Sequence, residues 1–172
     1  MTKLHSFIHR RPAWLVGGAL FGSAGSGGNG ANSTATNAVT GSTTGTLRLT
    51  QTTVAGSGGQ AQGGNGGLGG SSTSALVATN PLNGPTEGRV SASGGSGGST
   101  TGAGTGGNGG NATASIDMTN SNTLLAIASS NAGLGGSHFS GGTAGLAGIA
   151  NVTAHATTTN GFRVQAQTNA NG

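Results

Sequence analysis

Residues 106–136 read GGNGGNATASIDMTNSNTLLAIASSNAGLGG, and this stretch decides the fold class. Within it Ala112, Ala114, Ile116 and Met118 alternate with Thr113, Ser115, Asp117 and Thr119. Successive side chains of a strand point to opposite faces, so the run reads as a strand with one apolar and one polar face. Asn120, Ser121 and Asn122 follow as a turn, because Asn and Ser side chains bond their own backbone. Leu124 to Ala128 is continuously apolar. It is too short for a self-standing helix and is bracketed by glycine, so it reads as a second strand.

Working outward, weaker copies of this unit fill the chain. GGNG starts at 27, 63 and 106, spacings of 36 and 43 residues, and a degenerate tract follows at Gly141–Gly145. Periods of this size signal solenoids or arrays. The units are expected at roughly 27–62, 63–105, 106–140 and 141–172, each with two strand-like runs. In the last unit Ala150, Val152, Ala154 and Ala156 alternate with polar residues, and Asn160-Gly161 is a hairpin-type turn signal. The expected fold is all-β, either a β-solenoid or a stacked array of β-hairpins, with glycine-rich turns. A finer period of three runs through GGN-GGL-GG at 63–70, GGS-GGS at 94–99 and GGN-GGN at 106–111. Three residues per turn is the polyproline-II period. The tracts are therefore either short three-fold extended segments or flexible glycine loops.

With GGNGG tracts alternating with Ala/Thr-rich strands, residues 25–172 resemble glycine-rich tandem-repeat proteins of the bacterial surface and secretome. That resemblance implies a large secreted β-repeat protein, often adhesin-like.

Composition agrees with a thin-cored repeat. Of 172 residues 39 are glycine, 5% are charged and none is cysteine. Small residues bury little area each, so stacking of units has to supply the stability. Residues 1–24 are unlike the rest. Lys3, Arg10 and Arg11 precede the apolar run Ala13–Phe21 and the small residues Gly22-Ser23-Ala24. That is the layout of a secretory signal peptide. The run is too short for a membrane-spanning helix, which needs ~20 apolar residues. A secreted or cell-surface location is expected, with no membrane span in the mature chain. Beyond residue 24 only Arg48, Arg89, Arg163, Glu87 and Asp117 carry charge. No basic footprint for nucleic acid remains.

Catalytic equipment is sparse. Glu87 and Asp117 fall in different units, in a loop and on a polar strand face, which is no arrangement for paired-carboxylate chemistry. His138, His155 and Asp117 offer triad chemistry only with one of many serines, and His155 reads as a solvated surface residue. Two histidines without cysteine make a poor zinc site. The tracts put Asn, Leu or Ser where calcium repeats need Asp. Gly102–Gly107 matches GxGxxG without the flanking strand and helix that would give it meaning. No catalytic, metal or cofactor residue is assigned.

Arg48, Arg89 and Arg163 each precede an apolar residue in the second run of their unit, with Leu125 at that place in the third. Stacked units would set them in one outward column. The column reads either as a contact for anionic glycans or cell-surface phosphates or, more plainly, as edge charge that blocks strand-to-strand aggregation. The final run carries the apolar stripe Phe162, Val164 and Ala166, so self-association through this strand edge, or further repeats beyond it, is expected. The function expected is a structural or adhesive repeat protein without catalysis. The alternative is an ice-binding β-solenoid using Thr34/Thr36, Thr50/Thr52 and Thr157/Thr159.

Overall fold

The computed structural model describes residues 25–160 and 162–172. The signal-peptide-like segment 1–24 and Gly161 lie outside them. The alternating runs form eight strands: β1 (Ser33–Thr36), β2 (Leu47–Val54), β3 (Ser72–Thr79), β4 (Thr86–Ser93), β5 (Ala112–Asn120), β6 (Leu124–Asn131), β7 (Ala150–Thr158) and β8 (Val164–Asn171). Odd strands make one parallel sheet, ordered β1-β3-β5-β7, and even strands a second, ordered β2-β4-β6-β8. Each unit therefore gives one strand to each sheet, and four rungs stack as a β-solenoid. The two strands of a unit never pair with each other, so Asn120–Thr123 is a corner between sheets. The Asn160-Gly161 signal likewise sits between strands of different sheets.

Register sets the true period. Ser33, Ser72, Ala112 and Ala150 are aligned, in steps of 39, 40 and 38 residues. The GGNG spacings of 36 and 43 depart from this because the tract at 63–66 is displaced by one triplet. The aligned counterparts of Asn29 and Asn108 are Leu68 and Leu146.

The expected alternation holds. Ala112, Ala114, Ile116 and Met118 face inward with Leu47, Leu49, Leu76, Val90 and Leu124, all buried. Alanines at 92, 126 and 128 let the two sheets approach closely. Gly88 leaves the space that Met118 fills: a Cβ there meets Met118 Sδ and Ile116 Cδ1. Among the described residues the buried side-chain polar groups are paired, as burial requires, with Thr158 Oγ1 the exception. The Gln51 amide donates to the Ala35 and Ala75 carbonyls (3.1 and 3.0 Å) and accepts from Ala38 N–H (2.8 Å). At the corner that joins β3 to β4, Asn80 and Asn120 donate to the same Gly84 carbonyl (3.1 and 2.9 Å).

The glycine tracts are ordered. They run as two columns beside the sheets: 27–32, 66–71, 106–111 and 144–149 in the first, 55–60, 94–99 and 132–137 in the second. Backbone hydrogen bonds leave each tract in directions that repeat every third residue. Gly66 and Gly69 N–H bond the Thr105 and Asn108 carbonyls of the next rung. Gly67 and Gly70 N–H bond the Gly59 and Gly56 carbonyls of the second column. This is the three-residue period of polyproline-II helices. These helices lack internal hydrogen bonds, so the neighbours supply them. Two residues of each triplet face another backbone: a Cβ on Gly66 meets the Gly98 carbonyl, and one on Gly67 meets the Gly28 carbonyl. Both contacts are closer than any side chain permits.

The third residue of each triplet points out. Where it is asparagine, its side chain accepts the outward N–H of the next rung. Asn29, Asn32, Asn65, Asn108 and Asn111 bond the N–H of Leu68, Ser71, Thr105, Leu146 and Ile149 at 2.7–2.9 Å. The asparagine of GGN is thus an accepting group for a backbone donor that no tract reaches. At three first-column positions alanine takes the place of glycine where packing stops. Ala31 stands at the position of Gly70, Gly110 and Gly148, and no tract precedes it among the described residues. Ala144 and Ala147 stand where Gly106 and Gly109 meet second-column carbonyls of Gly136 and Gly133. No second-column tract of their own rung faces them among the described residues.

Candidate functional site

Because the inward faces fill the core, recognition chemistry is left to the outer faces of the two sheets. The second sheet presents four rows along the solenoid axis, fixed by register. They are Arg48–Glu87–Leu125–Gln165, Thr50–Arg89–Ile127–Gln167, Thr52–Ser91–Ser129–Asn169 and Val54–Ser93–Asn131–Asn171.

The arginines expected in one column are therefore not in one. Arg48 and Leu125 share a row, but Glu87 and Gln165 occupy the other two places. Arg89 lies two residues further along its strand, in the next row. Arg163 precedes β8, its carbonyl accepting Leu124 N–H at 3.0 Å, and its Nη2 is 3.5 Å from Gln165 Oε1. Aligning the units on arginine slipped two of the three, because backbone pairing and not residue identity sets the rows.

Glu87 is also corrected, from a loop to the second residue of β4. There it draws the two nearby arginines together. Arg89 Nε lies 2.6 Å from Glu87 Oε1 and Arg48 Nε lies 3.4 Å from Oε2. The carboxylate side chain is 16% exposed and each arginine 56%, so the guanidiniums lie over it. A shallow depression of about 250 Å³ is lined by these three with Leu49 and Thr50. A broader one of about 570 Å³ follows on the same sheet, at Ile127–Ser129 and Gln167–Asn169.

The first sheet's outer face is mostly hydroxylated. Register aligns Thr34, Thr73, Thr113 and Asn151 in one row, and Thr79, Thr119 and Thr157 in another. Between them run Thr36–Ala75–Ser115–Thr153 and Val77–Asp117–His155. The Thr-x-Thr pairs expected from sequence do not share a face: Thr34/Thr36 lie on this sheet, Thr50/Thr52 on the other, and Thr159 lies past β7. The threonine rows instead hold one threonine per rung at a constant place in the unit, a signal that needs the correct register to see.

Asp117 and His155 are brought together by pairing of β5 with β7, His155 Nδ1 lying 3.0 Å from Asp117 Oδ1. Both are exposed. No serine or threonine hydroxyl bonds the His155 ring among the described residues, and His138 lies elsewhere, bridged to Thr100. Glu87 and Asp117 stand on opposite outer faces, so the two carboxylates do not flank a common site. Among the described residues, no three His, Asp or Glu side chains are grouped to hold a metal ion, and no helix is long and apolar enough to cross a membrane. Comparison of the chain with protein-family models, curated proteins and solved structures finds no match.

Proposed function

We propose that this chain is a secreted or cell-surface protein that serves as a rigid structural or adhesive scaffold and catalyses no reaction. The observation that carries the reading is the division of labour around each rung. Apolar side chains and glycines are spent on packing, and hydroxyl, amide and a few charged groups stand in fixed rows outside. Rows of polar groups on a flat, rigid support suit an extended polymer better than a small molecule, which is usually held in a concave pocket. The signal-like start and the resemblance to glycine-rich bacterial surface repeats support the location. Fractionation of the producing cells tests it: processed chain in the medium or on the envelope is expected, and intact cytoplasmic chain would contradict it. Turnover abolished by Asp117→Asn or His155→Gln would contradict the non-catalytic reading.

A second reading is ice binding through the first sheet. It is favoured by the rows Thr34–Thr73–Thr113 and Thr79–Thr119–Thr157, which repeat a hydroxyl and a methyl at the strand spacing. Thermal hysteresis that Thr113→Tyr and Thr119→Tyr remove is the expected signature. No hysteresis from the purified chain would dismiss it.

A further inference from the structure

We infer that Arg48, Glu87 and Arg89 form a binding site for the acid groups, carboxylate or sulfate, of an anionic polysaccharide. The inference rests on the surface-scaffold reading and gives it a ligand class. Five residues of the described chain carry a full formal charge, and three of them meet at this one place. Mutual neutralisation does not account for the set, because one arginine balances Glu87 and the second leaves a net positive charge. Exposed ion pairs of this kind also contribute little to stability.

The geometry gives Glu87 a positioning role. Each guanidinium offers its Nε to a different oxygen of the same carboxylate. That contact holds both guanidiniums over the carboxylate, and among the described residues their terminal amino groups have no protein hydrogen-bond partner. A guanidinium fork matches the paired oxygens of a carboxylate or sulfate. The side chains that follow along the solenoid axis suit the rest of a sugar polymer. Leu125 and Ile127 lie in the same rows on the next rung, half-buried, and offer aliphatic surface to the C–H face of a sugar ring. Gln165 and Gln167 come next and bring amides for ring hydroxyls.

The test uses the full chain with Lys3, Arg10 and Arg11 changed to glutamine, so that the leader's charge is not read. Binding to immobilised polygalacturonate, dextran sulfate and neutral dextran is measured by biosensor. Binding to at least one polyanion and none to dextran is expected, and which polyanion is held identifies the acid group. Arg48→Ala with Arg89→Ala should weaken it about ten-fold, as loss of charge-assisted hydrogen bonds predicts. Arg48→Lys with Arg89→Lys keeps the charge but loses the forks, and should weaken it at least about three-fold. Arg163→Ala, which removes a cation beside Gln165 but leaves the cluster intact, should weaken binding much less than the paired Arg48 and Arg89 substitution. Circular dichroism and melting of each variant confirm that the fold is kept. Binding to neither polyanion overturns the site, as does full binding by the lysine variant or an equal loss in Arg163→Ala. If the native chain adheres to cell surfaces equally well without Arg48 and Arg89, the site fails and the adhesive reading stands. If the site binds but the chain stays in the cytoplasm, the reverse holds.

Discussion

Between Gly106 and Gly110 this chain packs backbone against backbone; between Ala112 and Met118, on the same rung, it packs side chain against side chain. In the glycine columns the cohesion is hydrogen bonding and close backbone contact, with little side-chain burial. Gly107 N–H bonds the Gly98 carbonyl and the Gly107 carbonyl accepts from Gly136 N–H, both at 2.8 Å. In the sheets the same ladder bonding is joined by apolar burial, concentrated in a few large residues such as Leu76, Ile116, Met118 and Leu124. The two regions should therefore differ in what they tolerate. A core side chain can shrink and leave a cavity. A tract glycine that faces another backbone admits no Cβ, because the neighbouring carbonyl already fills its place.

The sharpest break is Gly107→Val. Its Cβ falls on the Gly67 carbonyl, so the tracts must separate and several bonds are lost together. A destabilisation above about 4 kcal/mol, or failure to fold, is expected in urea denaturation. A stable, cooperatively folding variant would mean that the columns contribute little. Met118→Ala tests the other region. It empties a fully buried site and should cost about 2–5 kcal/mol, in proportion to the cavity left.

Asn108→Ala removes only the bond to Leu146 N–H. It should cost about 1 kcal/mol, and an unchanged midpoint would show that water replaces the asparagine. Ala147→Gly lies where no second-column tract packs among the described residues, so a change under about 1 kcal/mol is expected, chiefly through the unfolded chain. If it proved as severe as Gly107→Val, contact with a backbone would not be what distinguishes the glycine positions. The smallest effect concerns association. β7 and β8 each have one edge without a strand partner among the described residues, and Arg163 is the only full charge beside the second. Arg163→Val should raise the mean mass in light scattering at high concentration, and an unchanged mass would show that the edge is already guarded.

Much of this architecture was legible in residues 106–136. Period-two alternation named both strands and their buried faces, because Ala112, Ala114, Ile116 and Met118 have one apolar direction to satisfy. The triplet period of the GGN tracts raised a three-fold helix. It did not settle order, since an isolated glycine helix has no internal hydrogen bonds and only its neighbours can provide them. The Arg48–Glu87–Arg89 cluster was not legible. One residue of slip in register moves a side chain to the opposite face, and two residues move it to the next row. The sequence by itself determined the all-β class, the repeated two-strand unit and the apolar inward residues, all of which follow from local period and side-chain size. Only the tertiary structure decided solenoid over hairpins, the 38–40-residue register, the role of the tract asparagines and which charges meet. Those depend on contacts between residues some forty positions apart, whose alignment is set by backbone bonding summed over every rung.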